Sequence, residues 1–109
     1  MKLNRNEMIK KHFDMVSALT ERLAKRHLSL FKHSYDHNCF GNWEMVIGSG
    51  HKERRFLWDG RDFFLTVSER AKTNSTQGEQ WRSVHEMPVG EIEDEDLFGK
   101  VFQMASEIQ

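Results

Sequence analysis

The sequence predicts an α+β domain in which a long N-terminal helix and a C-terminal helix flank a four-stranded antiparallel β-meander. Three observations support this prediction: apolar residues at helical spacing near the N terminus, an Asp-Gly dipeptide between two strand-like runs, and a second helical apolar pattern near the C terminus. Both helices are expected to pack on one face of the sheet. Residues 1–109 are expected to form a single domain, because a chain of 109 residues commonly folds around one core.

The first helix is predicted to begin after Asn4, because Glu7 stands three residues later, as in a capping box. Apolar side chains then recur at steps of three, four and seven residues: Ile9, Phe13, Val16, Leu19, Leu23, Leu30 and Phe31. This stripe predicts one amphipathic helix that continues to about His33, with a length of about 45 Å.

The first strand is predicted at residues 43–47, after a turn-rich segment at residues 34–42. Alternation along this strand gives it one apolar face, made of Trp43, Met45 and Ile47. Two glycines, at positions 48 and 50, are expected to end the strand.

A β-hairpin is predicted where Asp59 and Gly60 separate the strand-like runs 54–58 and 62–67. A two-residue loop sorts apolar from charged side chains better than a three-residue loop, so we expect the two-residue loop. One face of the hairpin then carries Phe56, Trp58, Phe63, Leu65 and Val67. The other face carries Arg55, Leu57, Asp62, Phe64 and Thr66.

The rest of the chain predicts a loop, an edge strand and a helix. Residues 71–80 are polar and long for a connection between neighbouring strands. Residues 81–87 alternate weakly up to Pro88, which indicates a fourth strand at an edge. Acidic residues after Gly90 favour the positive end of a last helix. The apolar face of that helix is expected to contain Leu97, Val101, Met104 and Ile108.

The charges are balanced in number but separated along the chain. The totals are 16 Lys and Arg against 17 Asp and Glu. Residues 1–33 carry a net charge of +5 (eight minus three), and residues 83–109 carry −6 (one minus seven). Opposite charges predict that the two terminal helices attract each other. The alternative is that the basic end meets nucleic acid and the acidic end meets a partner.

A cytoplasmic location without membrane contact is expected. Cys39 is the only cysteine, which excludes an intramolecular disulfide. The first residues do not resemble a secretory signal, and no apolar run approaches the roughly 20 residues that span a bilayer.

The candidate reactive residues do not predict an active site. His33, His37 and Cys39 are residue types that bind zinc, but a fourth ligand is not evident. A thiol-imidazole pair of Cys39 and His37 would have no group to orient the histidine. Residues 48–52 lack the spacing of a phosphate-binding loop. We therefore expect no catalytic residue, no metal ligand and no cofactor.

An excess of apolar surface is the remaining indication of function. The chain has eight Phe and three Trp, and the hairpin places Leu57 and Phe64 beside Arg55 on the face away from the predicted core. The sequence therefore predicts a non-catalytic protein-binding module, such as an inhibitor, an immunity-type protein or an adaptor. Its partner would be another protein or a second copy, bound by Arg55, Leu57 and Phe64.

Two alternatives stay open at this point. The first is nucleic-acid binding through the basic first helix and the hairpin arginines, since basic and aromatic side chains together suit single strands. The second is a small-ligand domain with a pocket between the helices and the sheet. That pocket would be lined by Trp43, Phe56, Trp58 and Met104.

Overall fold

The computed structural model describes residues 4–71 and 80–108. Its elements are α1 (Arg5–Ala24), β1 (Ser29–Asp36), β2 (Asn42–Gly48), β3 (Lys52–Asp59), β4 (Phe64–Ala71), β5 (Arg82–Pro88) and α2 (Asp94–Ala105). The strands form one antiparallel sheet in the order β1-β2-β3-β4-β5. The predicted α+β class with terminal helices is confirmed. The predicted number of strands is wrong, because the described ranges contain five. Residues 72–79 of the predicted loop lie outside the described residues.

The additional strand, β1, comes from the end of the predicted long helix. Helix α1 ends at Ala24 because His27 adopts a left-handed backbone conformation, with φ 60°. The N–H of Leu28 donates to the carbonyl of Leu23 at 3.0 Å, and the N–H of His27 donates to that of Ala24 at 3.0 Å. This Schellman-type pattern reverses the chain and buries Leu28 against the core. Leu30 then pairs with Ile47 in the sheet instead of continuing the helical stripe.

The hairpin forms with a longer loop than predicted. Asp59 pairs with Phe64, so four residues separate the strands and the two-residue loop is wrong. The Asp59 carboxylate accepts hydrogen bonds from the backbone N–H groups of Arg61 (2.9 Å) and Asp62 (3.2 Å), which stabilises this wider turn. Phe63 lies in the turn with a left-handed φ of 52°.

The predicted division of the hairpin into two faces survives this change of loop. The observed register differs from the predicted one by an even number of residues, so each strand keeps its side. Phe56 faces Val67 rather than Phe63, and both are fully buried. Leu57 pairs with Thr66 on the opposite face. The predicted members that leave the sheet are Asp62 and Phe63.

The core contains side chains from both helices and from alternate positions of the sheet. Its largest fully buried members are Phe56, Leu23, Met45, Ile47, Leu65, Leu97, Val67 and Val101. Opposite charges also link the two helices, since the Lys11 ammonium is 3.3 Å from the Glu95 carboxylate. Neither helix in the described part of the chain has the length and apolarity needed to cross a bilayer.

Arg54 of β3 holds the end of α2. Its guanidinium donates to the Met104 carbonyl at 2.9 Å and to the Glu107 carboxylate at 2.8 Å. Its Nε donates to the Glu69 carboxylate of β4 at 3.0 Å. A cation at this position favours the negative C-terminal end of the helix. These contacts attach the C-terminal end of α2 to β3 and β4.

Candidate functional site

A cavity of about 350 Å³ opens where the turns after β1 and β3 approach the first turns of α1 and the beginning of α2. Six aromatic rings line it: Tyr35, Phe40, Trp43, Trp58, Phe63 and Phe98. The other lining residues are Met8, Lys11, His12, Gly41, Gly60, Ile92 and Asp94. We call this cavity the aromatic pocket. Its lining comes from segments far apart in the sequence, so it is a product of the fold.

The rim of the aromatic pocket consists of two turns that are joined to each other. The Gly60 N–H donates to the Asn42 side-chain oxygen at 2.7 Å. A Cβ at position 60 would overlap the carbonyl oxygen of Phe40, so only glycine allows the two turns to come this close. Phe40 and Phe63 both have left-handed backbones, with φ of 56° and 52°. Such conformations persist where surrounding contacts fix them, and here they place both rings on the rim.

Three of the five exposed large apolar side chains in the described residues line this pocket, and the other two are Phe13 and Phe31. Among the exposed large apolar side chains of residues 4–71 and 80–108, Met8, Phe40 and Phe63 line the pocket, and Phe40 is 63 % exposed. Large apolar side chains that stay in water at the mouth of a cavity indicate a surface that becomes covered by a ligand or a partner.

His12 and His33 form a hydrogen-bonded pair beside the pocket. Their Nε2 atoms are 2.8 Å apart, and the His12 ring stacks on Tyr35 with centroids 3.9 Å apart. One imidazole donates and the other accepts, so the acceptor ring is neutral. Burial, and then the charge of His33, lower the pKa of His12 from 6.5 to about 4. Burial also lowers the pKa of His33. The His12 side of the pocket therefore carries no positive charge at neutral pH.

Two further polar side chains line the pocket. The Lys11 ammonium is 3.3 Å from the Glu95 carboxylate and 3.9 Å from that of Asp94. The phenol of Tyr35 remains protonated at neutral pH, because burial and the nearby charge of Asp94 raise its pKa. The positive charge of Lys11 is thus balanced by the carboxylates of Asp94 and Glu95.

Two of the four residues predicted to line a ligand pocket lie in the lining of the aromatic pocket. Trp43 and Trp58 line the aromatic pocket, whereas Phe56 is fully buried in the core. Met104 lies near the other end of α2, where its carbonyl binds Arg54. Sequence reasoning missed His12, Tyr35 and Phe98. Alternation along β1 places His33 and Tyr35 on one face, but this signal appears only once the segment is recognised as a strand.

The predicted partner-binding residues lie on the sheet face opposite the core. Leu57 and Phe64 line a shallow concavity of about 580 Å³, which shares Tyr35, Trp43 and Trp58 with the aromatic pocket. We call it the outer concavity. Arg55 lies apart from it, with its guanidinium 4.9 Å from the centre of the Trp81 ring, which Arg70 also approaches at 4.3 Å. The structure therefore brings Leu57 and Phe64 together but turns Arg55 towards Trp81.

His33 and Cys39, two of the residues considered for metal binding, have different partners in the structure. His33 pairs with His12, whereas Cys39 is exposed and its sulfur accepts a hydrogen bond from the Asn42 side chain at 3.5 Å. Within the described ranges, no group of three or more His, Cys, Asp or Glu side chains is placed to hold a metal ion.

The basic side chains considered for nucleic-acid binding mostly have partners within the molecule. Lys10 is 2.6 Å from the Asp14 carboxylate, and Lys32 is 3.1 Å from that of Glu44. Arg22 lies over the ring of Phe102, 3.9 Å from its centre. These contacts partly neutralise or cover the basic surface of α1 and β1, which weakens the argument for a phosphate-binding face.

Comparison of the chain with protein-family models, with curated proteins and with solved structures finds no match.

Proposed function

We propose that this domain binds a small, mainly apolar molecule in the aromatic pocket. The observation that carries the proposal is a cavity of about 350 Å³ that is lined by aromatic rings. The side chains of Met8, Phe40 and Phe63 at its mouth are exposed to solvent. Small-molecule sites are typically concave, roughly 300 to 1,000 Å³ in volume, and mainly apolar with a few polar groups. His12, Lys11 and Asp94 supply those polar groups here.

The proposed role is binding without catalysis. The described lining contains no Ser, Thr or Cys that would act as a nucleophile. The Nε2 of His12 is hydrogen-bonded to that of His33 at 2.8 Å. This nitrogen is therefore not free to accept a proton from a ligand.

The test uses the tryptophan indole N–H signals in a nitrogen-15 NMR spectrum, recorded while a fragment library of small molecules is added. Trp43 and Trp58 line the pocket, and Trp81 lies against Arg55 on the other side of the sheet as an internal control. We expect bound compounds to shift the first two signals and leave that of Trp81 in place. A library without any compound that shifts Trp43 and Trp58 would refute the proposal.

A pair of matched variants checks the location of any ligand. Phe63→Ala removes a ring from the rim, and Phe31→Ala removes an exposed ring that does not line the pocket. We expect Phe63→Ala to weaken the binding of a fragment several-fold and Phe31→Ala to leave it unchanged. Equal effects of the two variants would place the ligand elsewhere.

A second candidate function is protein binding through the opposite sheet face, by Arg55, Leu57 and Phe64. It is supported by the outer concavity, which Leu57 and Phe64 line, and by the buried Nε of Arg55, which has no hydrogen-bond partner in the described residues. The partner would be another protein or a second copy. This candidate needs both helices on the other face, an arrangement supported by the core cluster that α1 and α2 share with β2, β3 and β4.

A cytoplasmic location also remains a proposal.

A pull-down of the tagged protein from a cell extract, with and without nuclease, tests this second candidate. A stoichiometric protein that survives nuclease and is lost with a Leu57→Ser/Phe64→Ser variant would support it. Recovery that disappears with nuclease would instead support the nucleic-acid alternative. Equal recovery by the variant and the wild type would count against the outer concavity.

A further inference from the structure

The rings of the aromatic pocket surround it from several directions. Trp43 and Phe98 have centroids 5.8 Å apart and planes inclined at 57°, and Trp58 and Phe63 are 6.4 Å apart at 60°. Trp43 and Trp58 are more nearly parallel, at 25° and 6.5 Å. Walls inclined in this way suit a rounded group better than a flat one. The faces of aromatic rings carry partial negative charge, so a ring-lined cage attracts a cation.

The charged side chains at the pocket also favour a positively charged ligand. Lys11 and Asp94 are the lining residues that carry a full charge at neutral pH, since His12 is neutral there. Glu95 lies nearer to Lys11 than Asp94 does, at 3.3 Å against 3.9 Å. The three side chains together have a net charge of −1, and the carboxylate of Asp94 is 59 % exposed beside the cavity.

The rim turns and the strand ends beside them add to the negative potential. Asp36 and Asp59 are the last residues of β1 and β3, and the turns that follow contain Asp62 and a single compensating cation, Arg61. The Arg61 guanidinium lies 5.8 Å from the centre of the Phe40 ring, so a rim ring already takes part in a cation–π contact. An anionic ligand would approach Lys11 only beside Asp94 and Glu95, where like charges repel.

From these observations we infer that the pocket takes a compact organic cation, an alkylated ammonium group on a small apolar body, with Asp94 as its counter-charge. This inference deepens the proposed function and rests on it. The angled rings would receive the alkyl groups and the positive charge together, and the mouth lined by Met8 would contact the apolar body.

Three probes of similar shape and different charge test the inference: choline, 3,3-dimethylbutan-1-ol and 3,3-dimethylbutanoate. Choline and the alcohol differ mainly in the replacement of a quaternary nitrogen by carbon. Each is titrated into the protein while the indole signals of Trp43 and Trp58 are followed. We expect choline to bind roughly threefold to thirtyfold more tightly than the alcohol, and the carboxylate to bind least.

Two pairs of variants separate the roles of charge and ring. Asp94→Asn should weaken choline binding several-fold and leave the alcohol unchanged, whereas Asp96→Asn, two residues further along α2 and outside the pocket lining, should change neither. Phe40→Leu keeps an apolar rim but removes the π face, so it should reduce the preference for choline over the alcohol. Phe31→Leu is the control for the loss of an exposed ring.

The outcomes distinguish this inference from the proposed function. Equal or tighter binding of the alcohol, or the absence of choline binding, overturns the inference of a cation. The proposal of a small-ligand pocket then still stands if the fragment library shifts the signals of Trp43 and Trp58. It falls as well only if the library also leaves both signals unchanged.

Discussion

His12 lines the aromatic pocket and contacts both β1 and α2. It is 7 % exposed and contacts His33 and Tyr35 of β1 and, at 5.7 Å between ring centroids, Phe98 of α2. A histidine here provides both a stacking ring and a hydrogen bond. The same burial makes its charged form unfavourable, so this residue couples the fold to pH.

The pKa of His12 predicts that stability falls in mild acid. The unfolded chain takes up a proton near the ordinary pKa of 6.5, whereas folded His12 does so at about 4. Between these values the unfolded state binds more protons, so the free energy of unfolding is fully retained above about pH 6.5 and decreases as the pH falls. We expect a loss of roughly 1 to 2 kcal/mol between pH 7 and pH 5, measured by urea unfolding.

Variants identify the group responsible for this pH dependence. His12→Phe keeps an aromatic ring at the position and removes its titration, so it should flatten the decrease in stability over the same range. His51→Gln changes an exposed histidine and should keep the wild-type slope. If both variants keep that slope, His12 is not its source.

Gly60 fixes the distance between the two turns of the rim. In Gly60→Ala the new methyl group would overlap the backbone carbonyl of Phe40, and backbone cannot move aside as a flexible side chain can. We expect a loss of roughly 1 to 3 kcal/mol in unfolding free energy and weaker binding of any pocket ligand. Gly50→Ala is the control, because a Cβ there meets nothing within 4 Å. Similar stabilities of the two variants would contradict the close packing of the turns.

At the scale of elements, the sequence pattern predicted correctly those features that depend on residues close together in the chain. Asn4 caps α1 as expected, since its side-chain oxygen accepts from the Glu7 N–H at 2.8 Å. The end of α1 was missed because Leu30 continues the helical spacing of apolar residues. The true end depends on a left-handed His27 and on the burial of Leu28, and both are results of tertiary packing.

The same distinction explains which parts of the site were predictable. Alternation along a strand placed Trp43 and Trp58 on the pocket side correctly. The contact between His12 and Tyr35 joins α1 to β1, and β1 was not predicted, so no local pattern indicated it. The turn after β3 was too short in the prediction because Asp59 binds the N–H groups of two later residues, a side-chain interaction that the dipeptide alone does not reveal.

The attachment of α2 to the sheet gives a prediction for an element. Arg54 and Glu69 have side chains only 12 % and 10 % exposed, and Arg54 also binds the Met104 carbonyl. Arg54→Leu would take the closest cation from the nearly buried Glu69 carboxylate and remove one donor from the Met104 carbonyl, so we expect a loss of roughly 2 to 4 kcal/mol in urea unfolding.

Two further variants test whether the buried charge is the cause. Arg54→Leu combined with Glu69→Leu should be more stable than Arg54→Leu alone, because it also removes the nearly buried carboxylate that has lost its closest cation. Arg82 also contacts Glu69, at 3.3 Å, but its side chain is 76 % exposed. Arg82→Leu should therefore cost less than about 1 kcal/mol. A double variant less stable than Arg54→Leu would show that Glu69 has another role.

At the scale of the whole molecule, the two candidate surfaces are neighbours. The aromatic pocket and the outer concavity share Tyr35, Trp43 and Trp58, whereas Phe63 lines only the first and Phe64 only the second. The separated charges of the chain meet partly within the fold, where Lys11 contacts Asp94 and Glu95. The two surfaces can therefore be distinguished by variants of residues that line only one of them, such as Phe63 for the pocket and Leu57 or Phe64 for the concavity.

The outer concavity gives the last prediction. Leu57 and Phe64 are half-buried, so replacing both with serine should remove apolar contact surface without opening the core. We expect association with a partner or a second copy, measured by pull-down and sedimentation, to weaken at least several-fold while the melting temperature stays nearly unchanged. Choline binding in the aromatic pocket should also be unchanged, because neither Leu57 nor Phe64 lines the pocket. Phe31→Ser, which removes an exposed ring from β1, controls for a general loss of apolar surface. A large fall in melting temperature would instead assign Leu57 and Phe64 to the core, and unchanged association would exclude this face as the interface.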